Sequence, residues 1–184
     1  LAAHPVGGLL AELVARIRAH FNDGAPSGPV EEVLLELRRK AYANGTSREV
    51  VLTEVSSAIL KSRLESSSWN LLPGFSGLTA VDWAPAIRKA GFPKELWPSQ
   101  KLLGEAGIFA GRSGVVQMPT SAGKTRSVEI ILRGAFLADR TRVAILVAPF
   151  RALCHEIAGS LRLAFKGEDV KVNELSDALQ LDFV

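Results

Sequence analysis

The stretch "VVQMPTSAGKT", residues 115–125, decides how the rest of the chain is read. It runs from a short apolar segment into Gly123-Lys124-Thr125, and the apolar "SVEIILRGAFLA" follows. Strand, glycine-bearing loop and helix in that order form the setting of a phosphate-binding loop. A polyphosphate needs positive charge and many N–H donors at close range. A tight turn into a helix supplies both, because backbone N–H groups converge there and the helix N-terminus adds its dipole. Lys124 would reach the β- and γ-phosphates, and the Thr125 hydroxyl would hold Mg²⁺. Gly123 permits a close approach that a Cβ would block. The glycine that usually opens such a loop is missing, and Met118 stands in its place.

Downstream, "VAILVA" (143–148) is a continuous β-branched run, the pattern of a strand buried on both faces. "RALCHEIAGSLRLAF" reads as a helix and "VKVNEL" as a third strand. Alternating strands and helices predict a parallel sheet with right-handed crossovers. Upstream, "PSQKLLGEAGIFAG" reads as a helix opened by Pro98 and Ser99. Residues 79–91 form a short helix candidate interrupted by Pro85, and "ESSSWNLLPGFSG" (65–77) reads as a connection. The first third is helical. Leu9, Leu10, Leu13, Val14, Ile17 and Phe21 form one apolar stripe. A second helix spans about Pro29 to Tyr42, with Ser27 as a cap and Asn44-Gly45 as its stop. Thr46 and Glu49 make a capping box for a third helix reaching Leu64. The boundary falls between residues 65 and 78. It separates an all-helical N-terminal domain, 1–70, from an α/β region, 71–184.

Composition narrows the classes. The chain has 184 residues, 47% hydrophobic and 22% charged, which suits a globular domain and part of another. No apolar run is long enough for a transmembrane helix, and the N-terminus lacks a signal peptide's pattern. Membrane association is not expected. One cysteine, Cys154, excludes a disulfide framework and fits a reducing compartment, cytoplasmic or nucleoid or nuclear. His4, His20 and His155 show no metal-ligand spacing. Cys154 and His155 point apart as helix neighbours and read as packing residues. Net charge is +3, which permits nucleic-acid binding without arguing for it. Arg38-Arg39-Lys40 reads as a solvated helix face.

"MPTSAGKT" resembles motif I of superfamily 2 helicases, of the DEAD/DEAH type, in which Pro-Thr or a near relative replaces the opening glycine. Its form is most similar to the Ski-like branch, which includes the helicase module of DNA polymerase theta. Two flanking segments agree. "LWPSQKLL" is similar to the upstream element whose glutamine recognises adenine; here that residue is Gln100, 24 positions before Lys124. "LVAPFRALCHEI" is similar to motif Ia, which touches the nucleic-acid backbone; Pro149, Arg151 and Glu156 fit it. The resemblance covers about residues 92–175. It implies a partial RecA-like P-loop lobe in residues 71–184, with ATP and Mg²⁺ as cofactors. Lys124 and Thr125 would be the catalytic pair. Gln100, Pro119, Thr120, Ser121, Ala122, Gly123, Lys124, Thr125 and Arg126 would line the nucleotide, with Thr125 on the metal. Pro149 and Arg151 would meet nucleic acid, with DNA favoured over RNA. Phe92 and Trp97 are placed to cover an adenine face, but both read better as core.

No convincing acidic Mg²⁺-holding box follows. Glu168 and Asp169 precede a strand rather than end one, and Asp182 stands near the last residue. The expectation is therefore the N-terminal part of a longer ATP-dependent helicase, inactive by itself. Its N-terminal helices would dock a protein partner. Competing expectations are a duplex translocase or remodeller, a catalytically inactive P-loop scaffold, and a small-molecule P-loop kinase. The last usually keeps the first loop glycine.

Overall fold

Capping and stop signals of the first third set the backbone directly. The computed structural model describes residues 7–119 and 121–174. Helix α1 (Gly7–Arg18) runs into a π-helical turn, Ala19–Asp23, closed by Gly24. Helix α2 (Gly28–Asn44) carries Pro29 in its first turn, where a missing N–H costs nothing. Helix α3 (Ser47–Glu65) opens with the expected capping box: Thr46 Oγ1 accepts from the Glu49 N–H, and the Glu49 carboxylate accepts from the Thr46 N–H at 2.7 Å. Helix α2 packs against both α1 and α3. Leu13, Phe21, Val30, Val33, Leu34, Leu37 and Leu64 form their shared core. Each such side chain contributes about 1.5–3 kcal/mol on burial.

A second core starts at Trp69. The segment 65–77 is not a bare connection, because helix α4 (Ser68–Ser76) lies within it and buries Trp69 and Leu72. Those two large apolar residues outweigh the turn signal of the neighbouring Gly and Pro. Helix α5 (Ala80–Ile87) contains Pro85 near its end, so the proline forfeits one hydrogen bond without interrupting the helix. Helices α6 (Pro98–Glu105), α7 (Lys124–Leu137) and α8 (Arg151–Ala164) complete the order. Trp83, Ile87, Phe92, Leu96, Leu103, Phe109 and Ile130 fill this core with Trp69 and Leu72.

The joint between the two cores is polar and specific. His20, 1% exposed, sits between the Ala25 carbonyl (2.6 Å from Nδ1) and the Ser67 hydroxyl (2.9 Å from Nε2). Trp69 Nε1 donates to the Phe21 carbonyl at 3.2 Å. On the far side of that joint, Ser67 and Glu95 form an isolated antiparallel bridge that fixes the chain leading into α6.

The expected partial parallel sheet of a RecA-like lobe is absent. Among the described residues there is no strand and no ladder. Residues 114–118, 143–148 and 170–174 carry no regular secondary structure. Val115 is fully exposed, and Ile145 and Val147 are 85% and 88% exposed. A continuous β-branched run is buried only where neighbouring strands cover it. Here no strand among the described residues lies alongside, so the run gains little burial. Helix α7 also differs from the all-round apolar helix its sequence suggests, because its buried face includes Ser127, Glu129 and Arg133.

Candidate nucleotide site

The loop before α7 is built for close approach. Ser121 and Gly123 both take left-handed backbone, with φ of 65° and 83°. That geometry turns the chain sharply, so α7 begins at Lys124 with Gly123 as its cap. Lys124, Thr125 and Arg126 are all exposed at this open helix N-terminus. Met118, in the place of the usual glycine, packs its side chain against the second core. It anchors the loop's entry, a job glycine could not do.

Helix α6 is fitted under the loop. Ser99 Oγ donates to the Ala122 carbonyl at 2.8 Å. Gln100 is 2% exposed, and its Oε1 accepts the Trp97 N–H at 2.9 Å. Its Nε2 lies 3.0 Å from where a Cβ on Gly123 would stand. The structure thus brings Gln100 to the loop, held at the bonding distance of its neighbours. Gly104 allows α6 to settle there, because a Cβ at that position would meet the Phe75 ring of α4 at 2.1 Å. Trp97 corrects the core reading: it is 55% exposed, with Cε3 3.6 Å from the same point beside Gly123. Its place just before Pro98, outside the first helical turn, is the sequence signal for that exposure. Phe92 is core, as expected.

Gly123 gives a direct test. Gly123→Ala would force alanine into a left-handed cap, at about 1–2 kcal/mol. It would also push a methyl toward the Gln100 amide. We expect at least tenfold weaker binding of a fluorescent ATP analogue. Affinity matching the unmodified protein would show that the loop does not approach phosphate here.

Arg126 has a partner on its own helix. Its guanidinium pairs with Glu129 at 2.8 Å. Glu129 also holds Arg133 at 3.0 Å, and Arg133 grips both oxygens of Glu168 at 2.7 Å. Lys89 pairs with Glu168 in turn. Burial pushes the Glu168 carboxyl up, but hydrogen bonds from Arg133 and Lys89, with their charges, outweigh it and hold it below its ordinary value of 4.5. Glu168, considered as metal-box material from sequence, is thereby a structural anion. A cavity of about 440 Å³ beside this network is lined by Thr125, Arg126 and Glu129 of α7, Ser160 and Leu161 of α8, and Lys89.

Pro149 and Arg151 stand exposed at the start of α8, next to an exposed Phe150. No hydrogen bond or ion pair among the described residues joins them to the loop. Cys154 is partly buried, its thiol 3.8 Å from the Ala148 carbonyl, but His155 is exposed and meets Glu174 at 3.2 Å instead of packing inward as its sequence reading expected. Thr120, Asp182 and His4 lie outside the described residues. No group of metal-ligating side chains occurs among the described residues, and no helix there is long and apolar enough to cross a membrane.

Comparison with known families found a match. Residues 97–181, just under half of the chain, match the model of the DEAD/DEAH box helicase family. The matched segment begins at Trp97, beside Gly123, and takes in Gln100, the loop and α8. It supports a member of helicase superfamily 2 with an ATP-dependent, helicase-type function. No curated protein and no solved structure matches the chain.

Proposed function

We propose that this chain holds ATP at the 119–126 loop and belongs to a motor that moves along nucleic acid, DNA before RNA, through residues of α8. The observation that carries the reading is the open, left-handed cap at Gly123. It presents Lys124 and Thr125 at a helix N-terminus with Gln100 locked behind it. Such a cap suits a polyphosphate, because a helix N-terminus offers it backbone N–H groups and the positive end of the dipole; the close side of Gly123 is taken up by Gln100. Lys124 would meet the terminal phosphates as a point charge, and the Thr125 hydroxyl would hold the Mg²⁺ that accompanies them. Mg²⁺, when bound with the nucleotide, neutralises phosphate charge. Pro149 and Arg151 would contact the nucleic-acid backbone. The form Pro-Thr-Ser-Ala-Gly-Lys-Thr resembles that of the Ski-like branch, which includes the helicase module of DNA polymerase theta, and supports a motor of that kind. The N-terminal helices offer a surface for a protein partner.

Gln100 sets base choice in this reading. A carboxamide has a donor and an acceptor, which suits the N6 and N7 edge of adenine; Gln100 is 2% exposed with its Oε1 on the Trp97 N–H, so meeting the base requires it to turn out of that bond. Trp97, exposed next to it, offers a ring face to the same base. Gln100→Ala is expected to lower the preference for ATP over GTP about tenfold, the worth of one or two hydrogen bonds. Competition binding with both nucleotides reads this, and an unchanged ratio removes Gln100 from recognition. The motor itself is tested by ATPase assays of the full-length protein with single-stranded DNA, duplex DNA and RNA. Stimulation by none of them would overturn it.

A further inference from the structure

Over its first three turns helix α3 turns a mostly polar side toward the protein: Glu49, Val50, Thr53, Glu54 and Ser57 are half-buried there. Glu54 answers Arg38 of α2 at 2.7 Å, and the Ser57 hydroxyl is shut from solvent without a hydrogen-bond partner. The opposite face carries Val51, Leu52, Val55 and Ile59, each more than half exposed. At roughly 100° per residue these four fall within one arc about 100° wide. Leu52, Val55 and Ile59 follow the three-and-four spacing of a coiled-coil seam. Single exposed apolar residues are ordinary, but a contiguous stripe marks an interface.

We propose that this face pairs with the same face of a second copy of the chain, as an antiparallel two-fold helix pair. Charge at the two ends of the stripe selects that occupant. Arg48 lies in line with the stripe at its N-terminal end, and Glu65, which Lys61 of the same helix meets at 4.0 Å, flanks its C-terminal end. With Val55 layered on the partner's Ile59, an antiparallel register sets Arg48 beside the partner's Glu65, and the two-fold axis makes that contact twice. A parallel register would stack like charges at both ends. Ser56 and Ala58 border the seam with small side chains, so the helices can approach closely. Apolar side chains so few fall short of the roughly 800 Å² per partner of a tight complex, so the dimer forms in the micromolar range.

Sedimentation equilibrium of the whole chain tests this. Between about 1 and 300 µM the mean mass should rise from monomer toward dimer. Val55→Glu should hold it at monomer throughout while its circular-dichroism melt stays unchanged. Arg48→Glu should weaken association about fivefold, the worth of two exposed ion pairs, and Arg48→Glu with Glu65→Arg should restore it. A monomer across the whole range overturns the proposal and leaves the face to a different protein. So does a dimer untouched by Val55→Glu. Failure of the charge exchange to restore association overturns the antiparallel register.

Discussion

Lys124→Ala is expected to abolish nucleotide hydrolysis by the full-length protein and leave its melting temperature unchanged. The two halves of this expectation have one cause. Lys124 is exposed at the first position of α7, where the helix dipole disfavours a cation by a few tenths of a kcal/mol. No ion pair or hydrogen bond of its side chain ties it to the fold among the described residues. Its removal therefore takes nothing from stability. A cation placed against the local field and left open to solvent gains only when an anion arrives. A phosphate chain cradled by the left-handed cap is such an anion. Losing one preorganised charge from a phosphoryl-transfer site costs about a hundred- to a thousandfold in rate. Steady-state ATPase assays and thermal melts on the same preparation separate the outcomes. Hydrolysis within a few fold of the unmodified protein, still stimulated by nucleic acid, would end the assignment of this loop. A large fall in melting temperature would instead make Lys124 a structural residue.

Local signals were legible in the sequence, and pairing was not. The capping box at Thr46 and Glu49, the stop at Gly45 and the turn into α7 at Gly123 depend on a few adjacent residues. Each forms as its pattern predicts. Gln100 was singled out by the resemblance of "LWPSQKLL" to the family's upstream element, not by its helix pattern, which leaves a glutamine at that position indistinguishable from a surface residue. The sheet failed for a physical reason. "VAILVA" states that its residues suit a covered strand, but not which backbone will cover them. Exposure of Ile145 and Val147 shows that nothing among the described residues does. Trp97 failed in the other direction. Its type argued for core, while its position at a helix entrance left it half in solvent. The charged face of α7 was hidden as well. Glu129 and Arg133 look like surface residues until Glu168, 35 positions further on, closes over them.

That closure makes Arg133 the most expensive side chain to remove. Arg133→Met is expected to destabilise the protein by about 3–5 kcal/mol, the cost of stranding buried partners. Arg133 and Glu129 are each 3% exposed. The guanidinium gives Nε to Glu129, one terminal nitrogen to Glu168 and the other to the Ala164 carbonyl at 2.6 Å. Its plane lies 4.3 Å from the Phe165 ring centre, with Phe92 at 5.7 Å. Methionine would fill the space between the rings but leave the Glu129 carboxylate with Arg126 alone, whose side chain is half exposed. In a chain of this size the loss corresponds to a melting temperature lower by roughly 6–20 °C. Replacing both members, Arg133→Met with Glu129→Leu, should cost less than the single change, because no buried charge is then abandoned on α7. Acid supplies an independent reading. Glu168 is held below 4.5, so its contribution is full above that pH and is lost as pH falls through the lowered folded value. Arg133→Met removes the main donor to Glu168, and the slope of stability against pH below about 4.5 should flatten in that variant. Urea unfolding at neutral and acid pH measures both effects. A neutral-pH loss under about 1 kcal/mol, or a double variant worse than the sum of its parts, would show that water and not Arg133 neutralises these carboxylates.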